Sequence, residues 1–175
     1  MDRLRALFSG LGFSGVETFI ASGNVIFSSP EPDAAALERQ VETALAAALG
    51  YRVDTFIRTP EELAAVVAHQ PFAGEPAAGA GTIYVTFVAR PLSAAARKQI
   101  AALATPSDEL ACKGREVYWC RHGNLLDSSV SGSEMGKALG GPATMRNRNT
   151  IVRLVARLAN EAGAAAPKRT RKEKA

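Results

Sequence analysis

The chain has 175 residues, of which 47% are hydrophobic and 22% are charged, a usage typical of one ordinary globular domain or two small ones. This composition excludes a disordered chain, a collagen-like repeat and a disulfide scaffold, and no apolar run approaches the roughly 20 residues needed to cross a bilayer. The net charge of +4 originates in a short basic segment near the C-terminus, Lys168–Lys174, so the basicity does not belong to the folded surface.

The first elements predicted along the chain are a helix and a hairpin. Apolar residues at helical spacing indicate a helix over residues 2–11. Val16–Ile20 and Val25–Ser28 are short β-rich runs on either side of Ala21–Asn24, whose residues are typical of turns. These two runs therefore predict a β-hairpin.

A helix, a strand and another helix are predicted next. Asp33 is expected to cap a helix that ends at Gly50, and the alternating segment Arg52–Arg58 predicts a strand. Thr59 begins a capping box with proline at the first helical position, which predicts a helix of about ten residues. The predicted order of the first half is therefore α-β-β-α-β-α.

The second half is predicted to follow the order β-α-β-β-α-α. Its first strand, Thr82–Val88, is apolar on both faces and should be central in a sheet. A helix capped by Ser93 comes next, followed by a hairpin of Asp108–Cys112 and Glu116–Arg121. A short helix near Ser133–Leu139 and a longer last helix complete this half.

These elements predict an α+β fold with two unlike subdomains. The first matches a β-α-β-β-α-β ferredoxin-like unit, in which the first strand is central, except that the chain opens with a helix. Because a sheet without its central strand leaves backbone edges unpaired, we expect the chain to begin about one strand and one turn too late, or to take a strand from elsewhere. The expected boundaries are 1–69 for the incomplete ferredoxin-like subdomain, 70–81 for a connecting loop, 82–163 for the second subdomain and 164–175 for a basic flexible tail.

Several segments, in the same order throughout, resemble one bacterial family. They are residues 2–13 (DRLRALFSGLGF), 19–28 (FIASGNVIFS), 59–72 (TPEELAAVVAHQPF), 82–88 (TIYVTFV), 116–121 (EVYWCR) and 143–154 (ATMRNRNTIVRL). The chain is similar to the domain of unknown function family 1697 (DUF1697), and the resemblance implies two unlike α+β subdomains, the first of them ferredoxin-like. The opening strand and Gly-rich turn that are usual in this family have no counterpart here, which a misplaced start codon or a truncation would explain. The resemblance implies no reaction, cofactor or catalytic residue.

Two polar clusters are candidates for ligand binding. Residues 144–150 bring two arginines, two amides and two hydroxyls to the predicted start of the last long helix, where free N–H groups and the positive end of the helix dipole favour an anion. The alternative is that Asn147 or Thr144 caps this helix while Arg146 pairs with a carboxylate. The turn at 22–24 offers a hydroxyl, a flexible backbone and an amide, either as a ligand contact or as turn chemistry alone. The candidate residues are Thr144, Arg146, Asn147, Thr150, Ser22, Gly23 and Asn24.

The basic tail supports a hypothesis from a different class. Its cations could hold phosphates through a few salt-sensitive contacts, which predicts weak nucleic-acid binding. The alternative is a solvated tail that only aids solubility. The residues concerned are Lys168, Arg169, Arg171, Lys172 and Lys174.

The sequence carries no motif for catalysis, metal binding or cofactor binding. It contains no G-x-S-x-G elbow, P-loop, G-x-G-x-x-G or H-E-x-x-H motif, and no pattern links His69 or His122 to a serine and an acid. Cys112 and Cys120 fit no common zinc spacing, and the predicted hairpin places Cys120 opposite Asp108, so reduced thiols are expected. We therefore expect no catalytic residue, no metal and no cofactor.

Three functions of different classes remain open. The leading hypothesis is a binding protein of unknown activity that holds a small anionic ligand near the start of the last long helix. Weak nucleic-acid binding through the tail and an enzyme of unidentified chemistry are the alternatives, and the lack of a catalytic motif favours binding over catalysis. Because no signal segment opens the sequence, we expect a cytoplasmic protein without a membrane partner.

Overall fold

The computed structural model describes residues 2–20, 23–73, 81–123 and 130–165. Within these ranges it contains six helices and six strands, and every strand pair is antiparallel, which confirms the α+β fold class. In chain order the elements are α1 Asp2–Gly10, β1 Ser14–Phe19, β2 Asn24–Ser28, α2 Ala34–Leu49, α3 Pro60–Ala68, β3 Gly81–Val88, α4 Ala94–Ala101, β4 Asp108–Lys113, β5 Glu116–His122, α5 Gly132–Leu139, β6 Ala143–Asn147 and α6 Arg148–Ala165.

A four-stranded sheet in the order β4-β5-β3-β6 organises the second half of the chain. β3 is hydrogen-bonded to β5 on one side and to β6 on the other, which confirms the central position predicted from its apolar residues. Buried side chains cover both faces of the sheet: Val85 and Tyr118 pack with α3 and α6, whereas Val117 and Trp119 pack with α4 and α5.

The strand β6 corrects the predicted order of the second half, which had no strand between its last two helices. Thr144 and Arg146 were expected at the start of the last helix, but they lie in β6, where Arg146 is opposite Val85. Pairing with the free edge of β3 satisfies backbone groups on both strands. Helix α6 begins only at Arg148, because Asn147 Oδ1 accepts the backbone N–H of Asn149 at 2.8 Å and caps the helix. The observed order is therefore β-α-β-β-α-β-α.

The β4–β5 hairpin is confirmed, but its register differs by one residue from the predicted register. A two-residue turn, Gly114–Arg115, joins the strands, and Gly114 has a φ of +59°, which suits the first central position of a type II′ turn. This turn places Glu109, and not Asp108, opposite Cys120. Both cysteines are free thiols, as expected.

The N-terminal half is built on the two-stranded sheet β1–β2, against which α1 and α2 pack. Phe8, Phe13 and Phe27 form its aromatic centre, with ring centroids between 4.4 and 5.9 Å apart. The predicted caps of α2 are confirmed: Asp33 accepts a backbone N–H at the start of the helix, and Gly50 ends it in the left-handed conformation.

The segment Arg52–Arg58 is not a strand of any sheet, so this prediction is wrong. The backbone N–H groups of Thr55 and Ile57 donate to the carboxylates of Glu42 and Glu38 on α2, at 2.9 and 2.8 Å. These side-chain acceptors satisfy backbone donors that a neighbouring strand would otherwise satisfy. Within the described residues, the N-terminal half contains a two-stranded sheet and no four-stranded ferredoxin-like sheet.

The capping box predicted for α3 is confirmed, since the Thr59 hydroxyl and the Glu62 carboxylate each accept the other residue's backbone N–H. None of the helices within the described ranges is both long enough and apolar enough to cross a membrane.

The predicted division at 70–81 remains a prediction. Ser22, residues 74–80 and the basic tail lie outside the described residues.

Candidate functional site

A cavity of about 420 Å³ lies where the two halves of the chain meet. Its walls come from α1, α2, β2 and the 53–58 segment on one side, and from β3, β6 and the start of α6 on the other. The volume falls within the range of roughly 300–1,000 Å³ that is usual for small-molecule sites. Most of the lining is apolar and includes Phe8, Val41, Leu45, Val53, Ile151 and Leu154.

Asn24, Thr144 and Arg146 form a polar rim on this cavity. Arg146 Nε donates to Asn24 Oδ1 at 2.8 Å, and Nη1 donates to Thr144 Oγ1 at 2.7 Å and to the carbonyl oxygen of Met145 at 2.9 Å. These three hydrogen bonds fix the orientation of the guanidinium group. The rim therefore presents a fixed cation beside an apolar cavity.

The surroundings of Arg146 increase the effect of its charge. Burial lowers the pKa of Arg146 below its ordinary value, because the charged form loses part of its hydration. Arginine nevertheless remains protonated at neutral pH. A charge in a partly desolvated position attracts an anion more strongly than the same charge in bulk water.

Two other charged residues line the cavity, and each has a partner of opposite charge. Arg58 Nε donates to Glu116 Oε1 at 2.9 Å, and its guanidinium lies 5.2 Å from the centroid of the Phe87 ring. The Asp54 carboxylate accepts a hydrogen bond from Arg52 Nε at 3.0 Å. Arg58 therefore belongs to a buried ion pair, and the negative charge of Asp54 is offset on its own segment.

Thr55 adds a polar atom without a visible partner. Its hydroxyl oxygen is buried, and it has no hydrogen-bond partner among the described residues. Thr55 is also one of the residues that line the cavity. Because a buried hydroxyl without a partner is destabilising, a bound molecule or a water with a polar group near Thr55 would stabilise this wall.

The structure brings most of the candidate ligand-binding residues to this cavity. Gly23, Asn24, Thr144, Arg146 and Thr150 line it, although the turn and the β6 segment are far apart in sequence. Asn147 is not part of the lining, and its carboxamide caps α6, as the alternative interpretation has it. Ser22 lies outside the described residues.

Sequence reasoning missed the apolar part of this site and the hydroxyl of Thr55. The apolar lining comes from helix faces that read as ordinary core stripes in the sequence, because a stripe that packs and a stripe that lines a cavity have the same periodicity. The alternation of residues 52–58 could have indicated that the Thr55 hydroxyl is buried, since it places Thr55 on the same side as Val53 and Ile57.

A smaller cavity of about 180 Å³ lies between the end of α3 and the start of α6. His69, predicted to end a helix, is the C-terminal cap of α3, and its ring packs edge-on against Tyr118 with 4.9 Å between ring centroids. Burial, with a contribution from Lys113, lowers the pKa of His69, while burial raises the pKa of Tyr118 to about 12. Both groups are therefore neutral at physiological pH.

Comparisons with known proteins identify relatives but no activity. The family model described as "Protein of unknown function (DUF1697)" matches residues 1–118. A solved structure of the conserved bacterial protein SP0830 from Streptococcus pneumoniae is similar to this chain, with a TM-score of 0.67 and 22% sequence identity, over 91% of this chain and 88% of that one. No curated protein matches the chain. The family match ends before β6, so Asn24 lies within it whereas Thr144 and Arg146 lie beyond it.

Proposed function

The chain belongs to the DUF1697 family, and we propose that it binds a small anionic ligand in the 420 Å³ cavity, with the negative group held by Arg146. The observation that carries this proposal is the hydrogen bond from Arg146 Nε to Asn24 Oδ1 at 2.8 Å. It unites the two candidate clusters and holds a partly buried cation at the edge of an apolar cavity.

The rim suits a carboxylate or a phosphate. A guanidinium group offers several N–H donors in a fixed plane, which match the oxygens of these anions. Thr144 and Thr150 belong to the same lining, and the first turn of α6 contributes the positive end of its dipole.

The remainder of the lining suits an apolar body. Side chains such as Phe8, Leu45 and Leu154 would gain by contact with hydrocarbon, because burial of apolar surface is worth roughly 25 cal/mol per Å². The ligand class that satisfies both parts of the cavity is an acid with an apolar chain or ring. A free inorganic anion would contact the rim alone.

Binding is favoured over catalysis by the chemistry of the lining. The described residues around the cavity include no histidine, cysteine or lysine, the side chains that most often act as bases or nucleophiles. Asp54 is the acid in this lining, and its carboxylate already accepts a hydrogen bond from Arg52.

The proposal is tested by titrating the purified protein with octanoate in a calorimeter, with octanol as the uncharged match and inorganic phosphate as the anion without an apolar body. We expect octanoate to bind with the highest affinity. Arg146→Gln should weaken octanoate binding by about tenfold or more, because a charged hydrogen-bonded contact is lost. Arg153→Gln, which changes an exposed arginine on α6, is the matched control and should leave binding unchanged. Equal affinities for Arg146→Gln and the parent protein would contradict the proposal.

A further inference from the structure

Three potential metal ligands meet on the surface of the four-stranded sheet, away from the cavity at Arg146. Glu109 on β4 is the direct cross-strand partner of Cys120 on β5. His122 is two residues beyond Cys120, so alternation along the strand places both side chains on the same face. The carboxylate, thiol and imidazole ligand atoms all lie within 4.8 Å of one another.

The contacts within this cluster converge on one ring nitrogen. His122 Nε2 lies 2.7 Å from Glu109 Oε1 and 3.6 Å from Cys120 Sγ. A catalytic relay would need the acid and the nucleophile on opposite nitrogens of the ring, as in the cysteine and serine hydrolases. Because the same nitrogen faces both groups, the arrangement does not suit a relay, whereas a metal ion needs ligand atoms that point at one position.

From this arrangement we propose that Glu109, Cys120 and His122 bind a Zn²⁺ ion, a site that is independent of the proposed anion-binding function. Thiolate, imidazole and carboxylate are the three side-chain groups that Zn²⁺ takes in proteins, and sites with three protein ligands hold a water in the fourth position. On binding, Cys120 Sγ forms a bond to the metal and its S–H proton passes to solvent, so that the bound ligand is a thiolate.

The two separations measured from His122 Nε2 require only a small adjustment. Ordinary Zn²⁺ bond lengths in a tetrahedral site separate a sulfur and a nitrogen ligand by about 3.6 Å, and a nitrogen and an oxygen ligand by about 3.4 Å. Cys120 Sγ and His122 Nε2 already have the first separation. Glu109 Oε1 must retreat by roughly 0.7 Å from Nε2 to reach the second, which its long side chain allows.

The cluster is open to solvent on one side and closed on the other. The side chains of Glu109 and His122 are 46% and 41% exposed, whereas Cys120 is fully buried and forms the floor. Arg121 lies between the two β5 ligands but points to the opposite face, where its guanidinium is 4.9 Å from the centroid of the Trp119 ring. Its positive charge therefore does not occupy the metal position.

The test is titration of the full chain, first freed of metal with a chelator, with Zn²⁺ by calorimetry and with Co²⁺ by absorbance. We expect one ion per chain and a near-ultraviolet thiolate-to-cobalt band. Cys120→Ser should abolish the band, and Cys112→Ser, which changes the other thiol, should retain it. Because Cys120 is buried, the exposed ligands provide a second route: His122→Gln should weaken Zn²⁺ binding by about tenfold or more with an unchanged circular-dichroism spectrum, whereas His69→Gln should not. The absence of stoichiometric binding, or a cobalt band that survives in Cys120→Ser, would overturn the proposal.

Discussion

Arg146 Nε donates a hydrogen bond to Asn24 Oδ1 at 2.8 Å, across 122 residues of sequence. One partner lies at the start of β2 in the N-terminal half, and the other lies on the edge strand β6 of the four-stranded sheet. The polar rim of the cavity therefore exists only when both halves are folded against each other. This coupling makes the site sensitive to substitutions in either half.

Asn24→Ala should weaken binding of octanoate while leaving Arg146 in place. The variant removes the acceptor that orients the guanidinium group, so part of the fixed geometry is lost and the affinity should fall by about tenfold. Calorimetric titration measures the effect. Asn149→Ala changes an exposed amide that is not among the residues lining the cavity, and this matched control should bind like the parent protein.

Asn147→Ala, in contrast to Asn24→Ala, should lower the stability of the protein and leave octanoate binding unchanged. Asn147 Oδ1 caps α6, and loss of such a cap lowers the free energy of unfolding by about 1 kcal/mol. Urea denaturation followed by circular dichroism measures the loss. A decrease in octanoate affinity as large as that of Asn24→Ala would show that Asn147 contacts the ligand after all.

Thr55→Val tests the buried hydroxyl in the cavity wall. The substitution keeps the shape of the side chain and removes a polar atom without a partner among the described residues, so the ligand-free protein should be unchanged in stability or more stable by about 1 kcal/mol. Thermal and urea denaturation give the comparison. Thr43→Val, on the exposed side of α2, should give no such gain, because the Thr43 hydroxyl already donates to the carbonyl oxygen of Arg39 at 2.8 Å. A clear loss of stability in Thr55→Val would indicate that this hydroxyl has a partner.

The stability of the protein should fall as the pH is lowered just below 6.5. Burial, with a contribution from Lys113, lowers the folded-state pKa of His69 below its ordinary value of 6.5, so the neutral ring favours the folded state. This contribution is complete above pH 6.5 and is lost as the pH falls toward the folded-state pKa. His69→Phe should reduce the slope of unfolding free energy against pH in this window. The same measurement on His122→Gln is the control, because it removes the other histidine of the chain. An identical slope in His69→Phe and the parent protein would contradict this assignment.

Local signals in the sequence predicted much of the fold. The helix caps at Asp33 and Thr59 and the central position of β3 depend on residues close in sequence, and all three are confirmed. β6 could not be predicted in this way, because five residues of which only Ala143 and Met145 are apolar form a strand only when the free edge of β3 is available. Its formation is a tertiary effect that overrides local preference.

In the segment 52–58, the predicted alternation of side chains is present, but the backbone bonds to side chains of α2 and not to another strand. Its alternation is real, since Val53 and Ile57 pack with the N-terminal core while Phe56 packs with the core beneath the larger sheet. Glu38 and Glu42 satisfy two of its amides from α2, so no strand pairing results. Which acceptor an amide finds depends on the helix–segment contact, and no spacing in the sequence encodes it.

The candidate site was predictable in its residue types but not in its assembly. An arginine and a threonine in 144–147 and an amide in the turn at 22–24 each indicated polar binding chemistry, yet nothing in either segment pointed to the other. The two segments are joined only because β6 pairs with β3 and thereby lies next to the turn of the β1–β2 hairpin. The apolar lining was hidden because cavity walls and ordinary core share one hydrophobic pattern.

A crystal structure of the protein soaked with a bromo-substituted hexanoate, with the bromine located by anomalous scattering, tests the central claim most directly. We expect the bromine among the apolar side chains of the cavity and the carboxylate within hydrogen-bond distance of the Arg146 guanidinium group. A carboxylate that binds away from Arg146, or a bromine peak outside the cavity, would contradict the assignment of this site.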